Sequence, residues 1–443
     1  VLFWPYLAVT GQYLWHSEAV AFFCAVGFLA TAGILLGLRR RYFPAAGAWV
    51  VGALLLTVGM ATTAPVMLRR PDVWEVPIAC AYSLAILSLA AIWRALHSEH
   101  RAPAWLACAS LAYGLAVGAR PVVLFGGAML LVPLLRVWRR ERGVAWRDGR
   151  AWRLLAAAVL PMAVIGLGLA FYNFARFGNP LEFGQNYQMA EDNQGQLQHF
   201  SARFLWFNFR VYFLEPMRLS SYFPFVLGIK IPPPPAGQFG TENPFGVLTN
   251  MPVTWLALAA PLVWWRRPVA EADPLRWLTA AAGLLFALSA FTVCLFGGAC
   301  HRYEMDFAPA LALLAALGIL GLERRAADWA AGWRWLTRAA WASLLAWSVA
   351  FNFFASCQFG NLLHIDAPAA FNTLARLFDY PTYALEKLGG VQPGPLEIKL
   401  RLPPYAGVRN EPILVSGSNL DVDYLFLNYR DASHLVIGLE HTG

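Results

Sequence analysis

The chain has 443 residues, 58% hydrophobic and 14% charged, with a mean hydropathy of +0.49 and a formal net charge of +8. A soluble domain carries about a quarter charged residues, so the composition excludes an ordinary soluble protein and indicates a polytopic membrane protein. The excess is nearly all arginine, with lysine only at Lys230, Lys387 and Lys399; no stretch is both basic and foldable in water, so membrane lipids rather than nucleic acid are the expected partners.

The sequence opens inside an apolar run, "VLFWPYLAV", and closes at "VIGLEHTG" inside an alternating stretch. It reads as a fragment truncated at both ends. Ten apolar runs follow, near the length of about 20 residues that crosses a bilayer. They cover residues 17–38, 45–67, 74–96, 103–118, 121–137, 154–173, 245–265, 277–297, 307–322 and 335–357. The break at "ARP" separates the fourth from the fifth, because proline ends one helix and starts the next. The expected fold is therefore a polytopic α-helical membrane protein of about ten transmembrane helices.

Arginine sets the orientation. The segment 136–153 holds seven arginines against Glu141 and Asp148, and the positive-inside rule puts it in the cytoplasm. Counting spans from it places "RRRYFP", "HSEHRAP", "RRPVAEADPLR" and "ERRAADWAAGWR" on the same side. The opposite, extracytoplasmic side receives "LRRPDVWE", Arg120, the long loop 175–243, "GACHRYEMD" and everything after Cys357. Arg69 and Arg70 thus run against the charge bias, which either snorkelling to headgroups or an anion site explains. Within the long loop, "FLWFNFRVYFLEPMR" interleaves aromatic rings with arginines and predicts an interfacial helix over about residues 201–219. "KIPPPPAGQFGTENPFG" reads as a Pro/Gly loop without a core of its own.

Residues 1–357 form the transmembrane part, 358–392 a linker with short helices, and 393–443 a partial β-sandwich-like domain outside the membrane, truncated at the C-terminus. The last assignment rests on "LEIKLRLPP", "EPILVSG", "VDYLFLNYR" and "SHLVIGLE", which alternate apolar and polar residues between turn signals. Sugar binding and a structural cap are both compatible with this domain.

No GxSxG, HExxH, P-loop or CxxC motif occurs, and no metal-ligand spacing is present. Cys24, Cys80, Cys108 and Cys294 sit in apolar runs as small hydrophobes; spacing alone leaves a Cys300–Cys357 disulfide open. The extracytoplasmic side does offer arginines and carboxylates at membrane depth. Arginine grips phosphate bidentately and a poorly solvated carboxylate can serve as a base, which suits transfer chemistry on a lipid phosphate. The residues in question are Arg69, Arg70, Glu75, Arg120, Arg302 and Glu304, with Asp72 and Asp306 as further carboxylates and His301 beside them. Structural pairing among these same charges is the competing reading.

"GLAVGARPVVL", "YNFARFGNPLEFG" and "RYEMDFAPALALLAALG" resemble bacterial membrane proteins of the GT-C glycosyltransferase superfamily, the group related to protein O-mannosyltransferases and lipid A aminoarabinose transferases. The resemblance runs over roughly residues 1–357. It implies an inner-membrane enzyme moving a sugar from a polyprenyl-phosphate donor to an extracytoplasmic glycan, lipid or protein. It also implies that Arg120 and Arg302 lie near the donor phosphate, whereas Arg69, Arg70 and Glu75 are inferred from topology alone. In that family the catalytic acidic residue lies in the first outer loop, which would precede this sequence. The resemblance leaves the sugar and any assisting divalent cation open. A transporter or flippase of a lipid-linked or anionic solute is the alternative; it would show inverted repeats and charges near the midplane, and neither is evident.

Overall fold

The computed structural model describes residues 3–98, 100–141, 147–187, 197–388, 399, 409–418, 421–431 and 433–442. The chain divides into two compact units, one of residues Val1–Leu219 with Val226–Ser356, the other of Ser220–Phe225 with Cys357–Gly443.

The first unit is helical. Its elements are α1 (Phe3–Thr10), α2 (His16–Tyr42), α3 (Ala48–Met60), α4 (Ala64–Arg69), α5 (Glu75–Leu96), α6 (Ala102–Ala119), α7 (Pro121–Glu141), α8 (Arg150–Phe177), α9 (Pro252–Val263), α10 (Val269–Cys294), α11 (Ala308–Ala326) and α12 (Ala331–Gln358). Each of the ten apolar runs is largely helical, but among the described residues seven helices are long and apolar enough to cross a membrane: α2, α5, α6, α7, α8, α10 and the stretch beginning with α12. The run 45–67 breaks at residues 61–63, where Thr62 and Thr63 precede Pro65. Proline cannot donate the next helical bond, so α3 stops after 13 residues, about 20 Å at the helical rise. Proline also frames α9, which has 3₁₀ pitch and 12 residues. In α11 the charges Glu323, Arg324 and Arg325 close an otherwise apolar helix.

Packing explains the roles of the short helices. α11 is buried around nearly its whole circumference from Ala308 to Gly321, as expected of a helix apolar on all sides. It lies tightly on α9 and also touches α3 and α10. A Cβ on Gly318 would run into the Leu256 backbone carbonyl, and one on Gly321 would come within 2.7 Å of Leu262 Cβ, so these glycines permit the approach. A second row packs α2 on α5, α5 on α6, and α6 on α8. By contrast α8 exposes Leu160, Val164, Leu167 and Phe171, an apolar face suited to lipid.

Arginines tie helix ends together at one end of this bundle. Arg136 donates to the Leu96 carbonyl at 2.6 Å and to Asp273 at 2.5 Å, and Arg267 donates to the Tyr42 carbonyl at 2.7 Å. These carbonyls lack intrahelical donors, and cations there also complement the helix dipoles.

The long connection after α8 begins at Gly178, whose φ of 71° caps the helix in the left-handed region. Residues 202–214 are helical, shorter than the expected 201–219 because Pro216 and the strand β1 (Arg218–Leu219), paired antiparallel with β2 (Val226–Leu227), follow. Phe204, Phe207, Val211, Tyr212 and Phe213 are buried, and Phe213 stacks on Phe307 at 5.1 Å, while Trp206 is exposed. Most of these rings therefore pack on protein instead of facing outward. β3 (Gly240–Glu242) then pairs in parallel with β4 (Gly298–Cys300).

In the second unit, α13 (Pro368–Leu388) is longer than the short linker helices expected, and Asp379 accepts from the Phe223 N–H at 2.5 Å. The strands β5 (Arg409–Ser418), β6 (Asp421–Tyr429) and β7 (Leu435–Thr442) form an antiparallel sheet in sequence order. Three of the four predicted strand segments fall within it; "LEIKLRLPP" lies outside the described residues apart from Lys399. All six cysteines of the chain are thiols.

Candidate functional site

The site is built on a single turn. His301–Asp306 winds with 3₁₀ pitch, in which residues three apart eclipse one another. The hexapeptide therefore presents three faces: His301 with Glu304, Arg302 with Met305, and Tyr303 with Asp306.

The first face points into the protein. Glu304 is fully buried; its Oε1 accepts from the Phe245 N–H at 2.9 Å, and its Oε2 lies 3.5 Å from His301 Nδ1. Burial pushes the Glu304 carboxyl above the usual carboxylate range, and His301 offsets this only in part. Glu304 thus anchors the backbone after β3 and pairs with no arginine among the described residues.

The second face carries a charge network. Arg302 donates to Glu242 at 2.5 Å and lies 3.9 Å from Glu75 Oε1. Arg70 also donates to Glu242 and lies 3.9 Å from Asp72. The parallel pairing of β3 with β4 sets Glu242 opposite Cys300, two residues before Arg302. Burial raises the Glu242 carboxyl, but Arg302 and then Arg70 outweigh it, and the group is held below its ordinary range. Glu75, at the first turn of α5, is 2% exposed, and its Oε2 has no hydrogen-bond partner among the described residues. Arg69 is half-buried at the end of α4, beside Arg70.

The third face meets Arg120. Its Nε donates to both carboxylate oxygens of Asp306 at 2.8 Å, and its guanidinium stands 4.5 Å from the centre of the Tyr303 ring. Arg302 is 5.4 Å from the same ring centre, so Tyr303 joins the two arginines. Arg120 is positioned by its own sequence: it caps α6 with extended backbone, and its N–H donates to the Ala116 carbonyl at 2.9 Å before Pro121 starts α7. With Nε committed to Asp306, the two terminal nitrogens of Arg120 make no hydrogen bond among the described residues.

Arg120 and Tyr303 line a cavity of about 380 Å³, with Gln185, His199, Phe200 and Phe296 opposite. That wall is held by Ser201 N–H donating to the Leu295 carbonyl at 2.9 Å and Gly297 N–H to the His199 carbonyl at 2.8 Å. The volume lies in the range of small-molecule sites, and a few polar groups set among aromatic rings is their usual lining. A guanidinium edge with free N–H groups in such a place can take an oxyanion.

Of the six residues read from sequence, the structure joins Arg70, Glu75, Arg302 and Arg120 through Glu242 and Tyr303, and turns Glu304 away. Sequence reasoning passed over Glu242, Tyr303 and the His199 segment. One signal existed: Glu242 is the only acidic residue between Glu215 and Glu271.

No family model, curated protein or solved structure matches the chain. What the fold defines is a largely helical membrane protein with a small C-terminal sheet.

Proposed function

We propose that the chain belongs to a membrane glycosyltransferase of GT-C type that takes a sugar from a polyprenyl-phosphate donor to an extracytoplasmic glycan, lipid or protein. The observation carrying this reading is Arg120, oriented by Asp306 through Nε while its terminal nitrogens are open at an aromatic-walled cavity. In the transfer, the bond from the anomeric carbon to the phosphate oxygen breaks and that oxygen keeps the electron pair. Arg120 stabilises the growing charge there. The acceptor oxygen forms the new bond and yields its proton to an acidic residue acting as general base. Phe200, Phe296 and Tyr303 supply ring faces for the sugar or the first isoprene units. Arg302, already engaged by Glu242, holds Tyr303 in place. The reading also sets the protein in a bacterial inner membrane, with the Arg120 end and the C-terminus extracytoplasmic.

Transport of a lipid-linked solute is less well supported, because the charged clusters described here gather at helix ends instead of marking a path between them. The test is a titration of polyprenyl-phosphate sugar into the protein, alongside Arg120→Gln and Arg120→Gln/Asp306→Asn variants. The double variant leaves no orphaned carboxylate and keeps the melting temperature. Donor affinity should fall about thirtyfold or more in both, the loss expected when a buried charge partner is removed. Unchanged affinity in the well-folded double variant overturns the assignment.

A further inference from the structure

The largest of the cavities described lies at the other end of the bundle. About 950 Å³ of space opens where α2, α5, α7 and α10 meet, lined by Arg41, His97, Arg136, Arg139, Arg276 and Trp277 among others. Arg136 is neutralised by Asp273 and fixed to the Leu96 carbonyl. Asp273 is occupied on its other oxygen by Trp277 Nε1 at 3.0 Å. Arg41, Arg139 and Arg276 are exposed and have no ion pair among the described residues. His97 adds no charge: burial pushes its imidazole down to about 4, and the neighbouring Arg41, Arg136 and Arg94 reinforce the shift despite its bond to the Trp93 carbonyl.

These three guanidiniums line one cavity, with Arg140 also in its wall; their like charges repel each other, and a bound anion relieves that repulsion. Leu96, Val269, Pro274 and Trp277 give the same cavity an apolar side, and Arg139 lies 5.9 Å from the Trp277 ring centre. α2, α5, α7 and α10 are all long and apolar enough to cross a membrane. A basic cavity between such helix ends suits a lipid headgroup more than a free anion, since the acyl chains can run along the helices. The start of α10 borders the cavity through Val269 and Ala270, and its dipole favours the same charge.

We propose that this cavity binds an anionic phospholipid whose headgroup carries two phosphates, with Arg41, Arg139 and Arg276 dividing them. The site is independent of Arg120 and of the donor reading.

The experiment uses the full chain, delipidated in neutral detergent, with cardiolipin, phosphatidylglycerol, phosphatidylcholine and inorganic pyrophosphate as separate probes in native mass spectrometry. Cardiolipin should be retained and raise the melting temperature, while phosphatidylcholine does neither. The Arg41→Gln/Arg139→Gln/Arg276→Gln variant should lose about a hundredfold in retention, each basic side chain near a lipid contributing about a factor of five. Its lipid-free melting temperature should not change, because none of the three arginines is ion-paired among the described residues. Should the triple variant misfold, Arg276→Gln alone must still lose about fivefold. Equal retention of phosphatidylcholine, or undiminished cardiolipin binding by folded variants, overturns the site. Phosphatidylglycerol binding as tightly as cardiolipin overturns the two-phosphate assignment, and pyrophosphate binding as tightly overturns the lipid.

Discussion

Glu242 and Arg302 stand 60 positions apart in sequence and meet in a 2.5 Å ion pair. The pair exists because β3 runs parallel to β4 and delivers the carboxylate beside the turn that carries the arginine. Arg302 also lies 3.9 Å from Glu75, whose side chain is nearly sealed from solvent. The arginine therefore neutralises two carboxylates from different parts of the chain.

Removing it should be felt as lost stability. Arg302→Ala leaves Glu75 buried with its nearest cation gone, a defect of about 3–5 kcal/mol in comparable buried pairs. Adding Glu75→Gln should recover part of that loss, since the orphaned charge is then absent. Thermal melts at one scan rate, on the single and double variants, check this. A double variant no more stable than Arg302→Ala would mean that Glu75 is not coupled to Arg302.

Acid should act on the same network in a defined direction. The Glu242 carboxyl is depressed in the folded protein, so its contribution to stability is complete above the ordinary glutamate pKa and vanishes as pH falls through the lowered value. Glu242→Gln should accordingly melt below the parent at neutral pH, and the gap should close in acid, at pH values below the usual glutamate range. Melting temperatures of both proteins from pH 7 downward measure the gap. A constant difference across the series would remove Glu242 from the linkage.

Topology offers a separate check. If the positive-inside reading holds, a cysteine at Asp72 reacts with an impermeant maleimide in intact cells, while one at Arg147 reacts only after the inner face is opened. The background is a chain with its six cysteines replaced by alanine. Labelling in the reverse order would invert the assignment and move Arg120 to the cytoplasmic side.

The contact between α9 and α11 predicts a steric effect. Gly318→Ala places a methyl group against the Leu256 carbonyl, and overpacking of this kind costs about 1–3 kcal/mol. Gly33→Ala, where a Cβ meets nothing within 4 Å, is the control and should melt with the parent. Equal melting of the two variants would show that Gly318 is not in close contact with Leu256.

Much of the architecture was legible in the residues alone. Hydropathy marked all ten apolar runs, proline separated α6 from α7, and alternation located the strands of the terminal sheet, because burial in lipid and pairing in a sheet impose their periods on local sequence. Arg120 could be singled out by its position before Pro121, as could Arg70, Glu75 and Arg302 by charge against an apolar background. The prolines that cut α3 and α9 short are visible within their runs, but local sequence could not decide the place of α11, which is set by packing against α9, α3 and α10. Nor could it decide which charges meet: Glu242 reaches Arg70 and Arg302 only through the β3–β4 pairing, and Glu304, in the same hexapeptide as Arg302, is turned to Phe245 by the three-residue pitch of its turn. Hydropathy acts over a few residues and can be read in order along the chain, whereas the pairing of buried charges is settled by backbone contacts between segments far apart in sequence, which only the folded structure brings together.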